Sequence, residues 1–141
     1  MAQSYAIRDN FEKAQAEFNN AIRYYKKLTQ ENPQSQIEFK ALWLIANCFI
    51  ASKRWQEAVN VLEEVLMKYP EPQYLSMKRV DRLVQSINSV SVAYLKDYDL
   101  PINIYQKFIK MHPAHPFNKY LEGTIVDLSD LKEKNSSGVS K

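Results

Sequence analysis

The sequence predicts an all-α protein assembled from paired helices, and three observations carry that prediction. Glycine occurs only twice in 141 residues, both times beyond residue 120. β-Sandwiches and phosphate-binding α/β folds need glycine in their turns and loops, whereas helices joined by short polar links do not. Residues 54–70, "RWQEAVNVLEEVLMKYP", place Trp55, Ala58, Leu62, Val65 and Tyr69 at three–four spacing and then stop at Pro70. That spacing draws one apolar stripe along a helix. The pattern then recurs in "FNNAIRYYKKLTQENP" (18–33) and "YDLPINIYQKFIKMHP" (98–113), so that the leading aromatic residues fall at 18, 55 and 98.

The three copies align residue by residue. Phe18, Trp55 and Tyr98 share the first place. Ala21 aligns with Ala58, where the third copy has Pro101. Tyr25, Leu62 and Tyr105 follow, then Leu28, Val65 and Phe108, and finally Pro33, Pro70 and Pro113. Each proline ends its helix by driving the residue before it out of helical geometry.

Each copy needs a partner helix upstream. "SQIEFKALWLIANCFIASKR" supplies one before Trp55. Ser35 and Glu38 form a capping box there, and Ala41, Leu42, Ile45, Ala46, Phe49 and Ile50 recur at helical spacing. Before Tyr98, "SMKRVDRLVQSINSVSVAYLK" puts Val80, Val84, Ile87, Ser91 and Tyr94 on one face. Before Phe18, "AQSYAIRDNFEKAQ" is more polar, with Tyr5, Ile7 and Phe11 as its apolar content. At the other end, "PFNKYLEGTIVDLSDLKEK" gathers Phe117, Tyr120, Leu121, Ile125, Leu128 and Leu131 on one face, as a capping helix requires. Gly123 costs that helix about 1 kcal/mol relative to alanine and makes it prone to bend or fray. The last seven residues, "NSSGVSK", carry nothing to pack and are expected to be a disordered tail.

These residues resemble the tetratricopeptide repeat family over about residues 3 to 113. The second unit carries the resemblance most fully, through Leu42, Ile45, Ala46, Phe49, Trp55, Ala58, Leu62, Val65 and Pro70. The third departs at Asn88, where an aliphatic residue is usual, and at Pro101. The first departs at Arg8, Asp9 and Glu12. The resemblance implies a right-handed α–α solenoid of about three helix hairpins (3–34, 35–71 and 72–114) closed by the capping helix over 116–134. Within that domain, 1–134, Phe18, Trp55 and Tyr98 would cap the turns between paired helices. The long repeat spacing and the "YP" ending are similar to the repeat domains of bacterial envelope proteins, such as the Tol-Pal-associated and β-barrel-assembly lipoprotein types. This implies an alternative role as a structural segment of a larger envelope-assembly protein.

Composition narrows the function. Apolar residues make up 45% of the chain and charged residues 25%, which suits one globular domain. A net charge of +3, from 19 basic and 16 acidic residues, is too balanced for a polyanionic partner. Lys26-Lys27, Lys53-Arg54 and Lys78-Arg79 read as solvated helix faces, and no nucleic-acid binding is expected. The N-terminal stretch has no apolar run long enough for a signal peptide, and no membrane insertion is expected anywhere. The expected compartment is the cytoplasm or, if a leader was removed, the bacterial periplasm.

No catalytic constellation emerges, and no cofactor or metal is expected. Cys48 is the only cysteine; it has no basic neighbour and reads as a small interior residue. His112 and His115, in "MHPAHP", read as surface histidines at a unit junction, with no cysteine or carboxylate within five residues to complete a metal site. Glu63-Glu64 face away from the apolar stripe, and Asp97 with Asp99 belong to a turn.

What remains is a binding surface, and the expected partner is a protein or peptide. In the family the first helices of successive units line the concave face. The resemblance places Lys40, Trp43, Asn47, Ile50 and Ala51 there in the second unit. In the third it places Leu83, Ser86, Val90, Ala93 and Tyr94, with Arg79 and Arg82 at the rim. In the first it places Ala6, Asn10 and Lys13. Trp43 is off the packing seam and suits an interface anchor, while Asn10 and Asn47 could hold a peptide backbone. Family members that clamp a terminal carboxylate need lysines where this chain has Ala6, Trp43 and Ser86, so that specificity is not expected.

Overall fold

Among the described residues, six α-helices and one π turn follow one another: α1 Ala2–Glu31, α2 Gln36–Ala51, α3 Trp55–Lys68, α4 Met77–Ser89, the π turn Val90–Tyr94, α5 Asp99–Met111 and α6 Asn118–Val139. The computed structural model describes the backbone of residues 2–139 and the side chains of residues 8–136, and no strand occurs among them. Tyr5, Ala6 and Ile7, named above, have side chains outside the described residues. The chain divides into two compact units, Met1–Val65 and Leu66–Lys141.

In the first unit, α1 and α2 pack as an antiparallel pair across the turn at residues 32–35. Ser35 caps α2: its Oγ accepts from Glu38 N–H at 3.2 Å and donates to Asn32 O at 2.6 Å. Glu38 is only 6% exposed, and its Oε1 accepts from Gln34 N–H at 3.2 Å. The predicted apolar seam is the core here, with Leu42, Ile45, Ala46 and Phe49 in α2 and Ala58, Leu62 and Val65 in α3 all buried.

The first repeat takes a different form from the expected hairpin. Helix α1 runs unbroken through Phe18, which therefore caps no turn. The other two repeats break their first helix with a lysine in the left-handed region two residues before the aromatic, Lys53 (φ 62°) before Trp55 and Lys96 (φ 56°) before Tyr98. The equivalent residue is Ala16, inside the run "EKAQAE". Alanine is the best helix former and pays a steric penalty in the left-handed region, so nothing in that run breaks the helix.

In the second unit, α4 buries Val80, Leu83, Val84 and Ile87, and α5 buries Pro101, Ile102, Ile104, Tyr105 and Phe108. The buried Tyr105 hydroxyl donates to Asn88 Oδ1 at 2.6 Å, with Val84 O 3.3 Å away. This contact accounts for Asn88, the polar residue at an ordinarily aliphatic place. Beyond Ser89 the backbone widens into the π turn, closed by Leu95 N–H donating to Val90 O at 3.0 Å. Helical spacing put Tyr94 on the buried face, but the wider turn advances less per residue and leaves Tyr94 55% exposed.

Helix α6 packs on α5. Phe117, Leu121 and Leu128 are buried as the capping face requires, whereas Leu131 is 48% exposed. Tyr120 Oη donates to Asp81 Oδ1 at 2.6 Å, tying α6 to α4. Helical backbone continues to Val139, past the boundary at 134. Lys132 Nζ reaches Asp99 Oδ1 at 2.8 Å, and Asn135 Nδ2 donates to Tyr98 Oη, contacts that carry the helix beyond Lys134.

Candidate functional site

The outward face of α2 is the part of the first unit that collects the predicted site residues. Lys40 and Asn47 are exposed, and Trp43 and Ile50 are half-buried. The Trp43 ring stands edge-on to Phe39, with centroids 5.9 Å apart and planes at 71°. Phe39 is itself buried, so the indole rests on the core with part of its surface free. Ile37, 48% exposed, and Leu44, 42% exposed, lie on the same face. At 100° per residue, Ile50, Trp43, Asn47, Lys40, Ala51, Leu44 and Ile37 form one continuous arc. Sequence reasoning missed Ile37 and Leu44. Their signal was the seven-residue step 37–44–51 in a helix that is apolar on more than one side.

Asn10 is not brought to this face. It is exposed on α1, nine residues before Asn19, whose Oδ1 accepts from Arg54 Nη1 in the α2–α3 turn at 3.0 Å. Lys13 pairs with Asp9 at 3.3 Å along the same stretch of α1.

In the second unit, Arg79 and Arg82 are exposed near the start of α4, Ser86 is half-buried, and Tyr94 and Ala93 are exposed in the π turn. Arg79 Nη1 donates to Tyr74 O at 2.8 Å, which fixes the guanidinium against the preceding loop. Leu83 and Val90 do not line a surface. They are 0% and 3% exposed and belong to the core, because the inward stripe of α4 runs Val80, Leu83/Val84, Ile87, Val90.

The histidines are structural. His115 Nε2 lies 3.0 Å from Pro70 O, and His115 Nδ1 accepts from Phe117 N–H at 3.1 Å. Those partners assign the neutral ring with its proton on Nε2 and engage both nitrogens. His115 also packs on Phe117 and Phe108, at centroid distances of 4.3 and 5.2 Å. His112 Nε2 is buried without a hydrogen-bond partner. Among the described residues no group of three or more His, Cys, Asp or Glu side chains is placed to hold a metal. Burial pushes the Cys48 thiol above its usual pKa, which works against thiolate chemistry. No helix among the described residues is long and apolar enough to cross a membrane.

Paired helices with a recurring aromatic–small–aliphatic seam, and a site that is a surface and not a cleft, define a helical-repeat protein. Residues 10–79 match the tetratricopeptide repeat family, and the chain belongs to it. The match takes in most of α1, all of α2 and α3, and the first turn of α4. No curated protein and no solved structure matches the chain. Tetratricopeptide repeats are typically non-catalytic modules for protein–protein interaction, and that is the class of activity to which this chain is assigned.

Proposed function

We propose that the protein is a scaffold or adaptor that docks a partner helix or extended peptide on the outward face of α2, the helix that lines the concave face in this family. The observation that supports this most directly is the row of Ile37 and Leu44, both more than 40% exposed, beside the half-covered Trp43 ring. A large aromatic seated on the core and open on one side has little side-chain freedom left to lose, which is what an interface anchor needs. Lys40 and Asn47 within the same arc supply polar contacts between the apolar ones.

The test is capture by the immobilised full chain, comparing the wild type with Trp43→Ala and Leu44→Asp. Leu44 is exposed, so the aspartate leaves the fold intact, as circular dichroism will verify. Loss of one wild-type partner from both variants is the expected result. Retention of every partner by both would refute the α2 face and favour the alternative, a structural segment of a larger envelope-assembly protein.

A further inference from the structure

The exposed residues of α2 form a seam with a definite period. Of the 16 residues in the helix, Gln36, Ile37, Lys40, Leu44, Asn47 and Ala51 are exposed, and all others are buried or half-buried. From Ile37 onward the steps are three, four, three and four. Ile37, Leu44 and Ala51 recur every seventh residue, about 10.5 Å apart along the helix axis. The half-buried Trp43 and Ile50 repeat the same step on the other side of the seam, and Lys40 and Asn47 run between the two apolar lines.

This period decides between the two shapes a partner could have. A helix that repeats its apolar face every seven residues presents it at the same interval of about 10.5 Å and keeps register along the whole seam. An extended chain turns a side chain to one surface about every 6.7 Å, so a chain seated on Ile37 straddles Leu44 instead of meeting it. Charge narrows the partner further. Lys40 is the only charged residue exposed on α2. The one carboxylate of the helix, Glu38, is 6% exposed and accepts from Gln34 N–H away from this face. We infer that the occupant is an amphipathic helix of another protein, with apolar residues at heptad spacing and one acidic residue among them that meets Lys40. This rests on the α2 face being the docking surface. A second copy of the chain suits it less, because the same seam on that copy has no exposed carboxylate to offer Lys40. A charged residue set within an apolar seam fixes register, and Lys40 does so here.

Fluorescence anisotropy of labelled peptides titrated with the full 141-residue chain tests this. Three probes of about 21 residues are compared. The first is a helix with leucine at the first and fourth places of each heptad and glutamate at the central fourth place. The second has lysine for that glutamate, and the third reorders the first so that apolar and polar residues alternate. The glutamate helix should bind about fivefold more tightly than the lysine helix, and Lys40→Glu should reverse that order. The reordered peptide should bind at least about tenfold more weakly than the glutamate helix. Lys40 is exposed, so circular dichroism should find that variant folded. Equal or tighter binding of the reordered peptide would make the occupant an extended chain and overturn the inference. So would a charge order unmoved by Lys40→Glu, or no binding of the glutamate helix up to about 0.5 mM. Self-association of the chain that Leu44→Asp abolishes would name a second copy and overturn it too. Leu44→Asp also separates this inference from the reading beneath it. If that variant loses both helices while the wild type does not distinguish them, the α2 face stands and the acidic helix falls. If it loses neither, the face falls as well.

Discussion

Replacing the Tyr105 hydroxyl probes a buried polar link in the core of the second unit. Tyr105 is 0% exposed and has a single proton to give. Asn88 Oδ1 at 2.6 Å receives it, and Val84 O at 3.3 Å is too far to compete while Asn88 is present. Tyr105→Phe keeps the ring and removes one neutral hydrogen bond, a loss of about 1 kcal/mol. The half-buried Asn88 amide turns partly to solvent, which keeps the loss below the penalty for a fully buried orphan. Asn88→Leu restores the aliphatic residue usual at this place. Its cost is smaller, about 0.5 kcal/mol, because the Tyr105 hydroxyl falls back on Val84 O and leucine adds apolar burial.

The decisive quantity is the coupling between the two sites. Once Asn88 is leucine, removing the hydroxyl forfeits only the weaker bond to Val84. The double variant should therefore be more stable than the sum of the two losses predicts, by about 0.5–1 kcal/mol. Urea unfolding followed by circular dichroism measures all four corners of the cycle. Burial holds the Tyr105 phenol well above its usual pKa, so phenolate absorbance reports the loss of this environment independently. Additivity of the two substitutions within about 0.3 kcal/mol would refute the claim that Asn88 is there for Tyr105.

Three further outcomes follow from the second unit. Gly123→Ala should stabilise the protein by about 1 kcal/mol, since a Cβ at this exposed helical position meets nothing within 4 Å; thermal unfolding reads the gain. Tyr120 should make stability fall in strong alkali. Its burial, together with the bond to the Asp81 carboxylate, pushes its pKa up to about 12, whereas the unfolded chain releases that proton near 10. Between those values the unfolded state binds fewer protons, so this contribution is whole below pH 10 and is lost as pH rises through 12. Tyr120→Phe should flatten that slope in urea titrations across the same range. His115→Ala removes the contacts to Pro70 O and Phe117 N–H along with two ring contacts, and should cost about 2 kcal/mol by urea unfolding.

The repeat was legible because packing and chain geometry leave the same mark in every copy. Aliphatic and small residues at three–four spacing located the core of the second and third units, and prolines marked the helix ends, with α1, α3 and α5 each stopping two residues short of Pro33, Pro70 and Pro113. Features that depend on one or two backbone angles were not legible. The first helix of each later repeat ends at Lys53 or Lys96 in a left-handed conformation, and lysine has no special preference for it. Without that clue, Ala16 could not be recognised as the place where a break fails. The π turn left no mark either, because an inserted backbone step changes which residues share a face without changing which residues are apolar. The π turn takes Tyr94 off the Val80–Val84–Ile87 face for that reason, whereas Leu83 and Val90, which the family resemblance placed on a surface, are core.

The binding face was harder still to read, because an apolar residue on a helix does not say which of two apolar sides is turned inward. Helix α2 shows this: Leu42, Ile45, Ala46 and Phe49 are buried, while Ile37 and Leu44 are drawn from the same residue types and remain exposed. The family resemblance could point to Trp43 because it lies one residue off the Leu42–Ile45–Phe49 seam, but it had no means of nominating the aliphatics beside it. Only burial separates the two sides. Uncovered apolar stripes are costly in water. The one on the outward side of α2 is therefore where association should be sought: Leu44→Asp should abolish capture of a partner by the immobilised chain, and a variant that kept every partner would refute the α2 face.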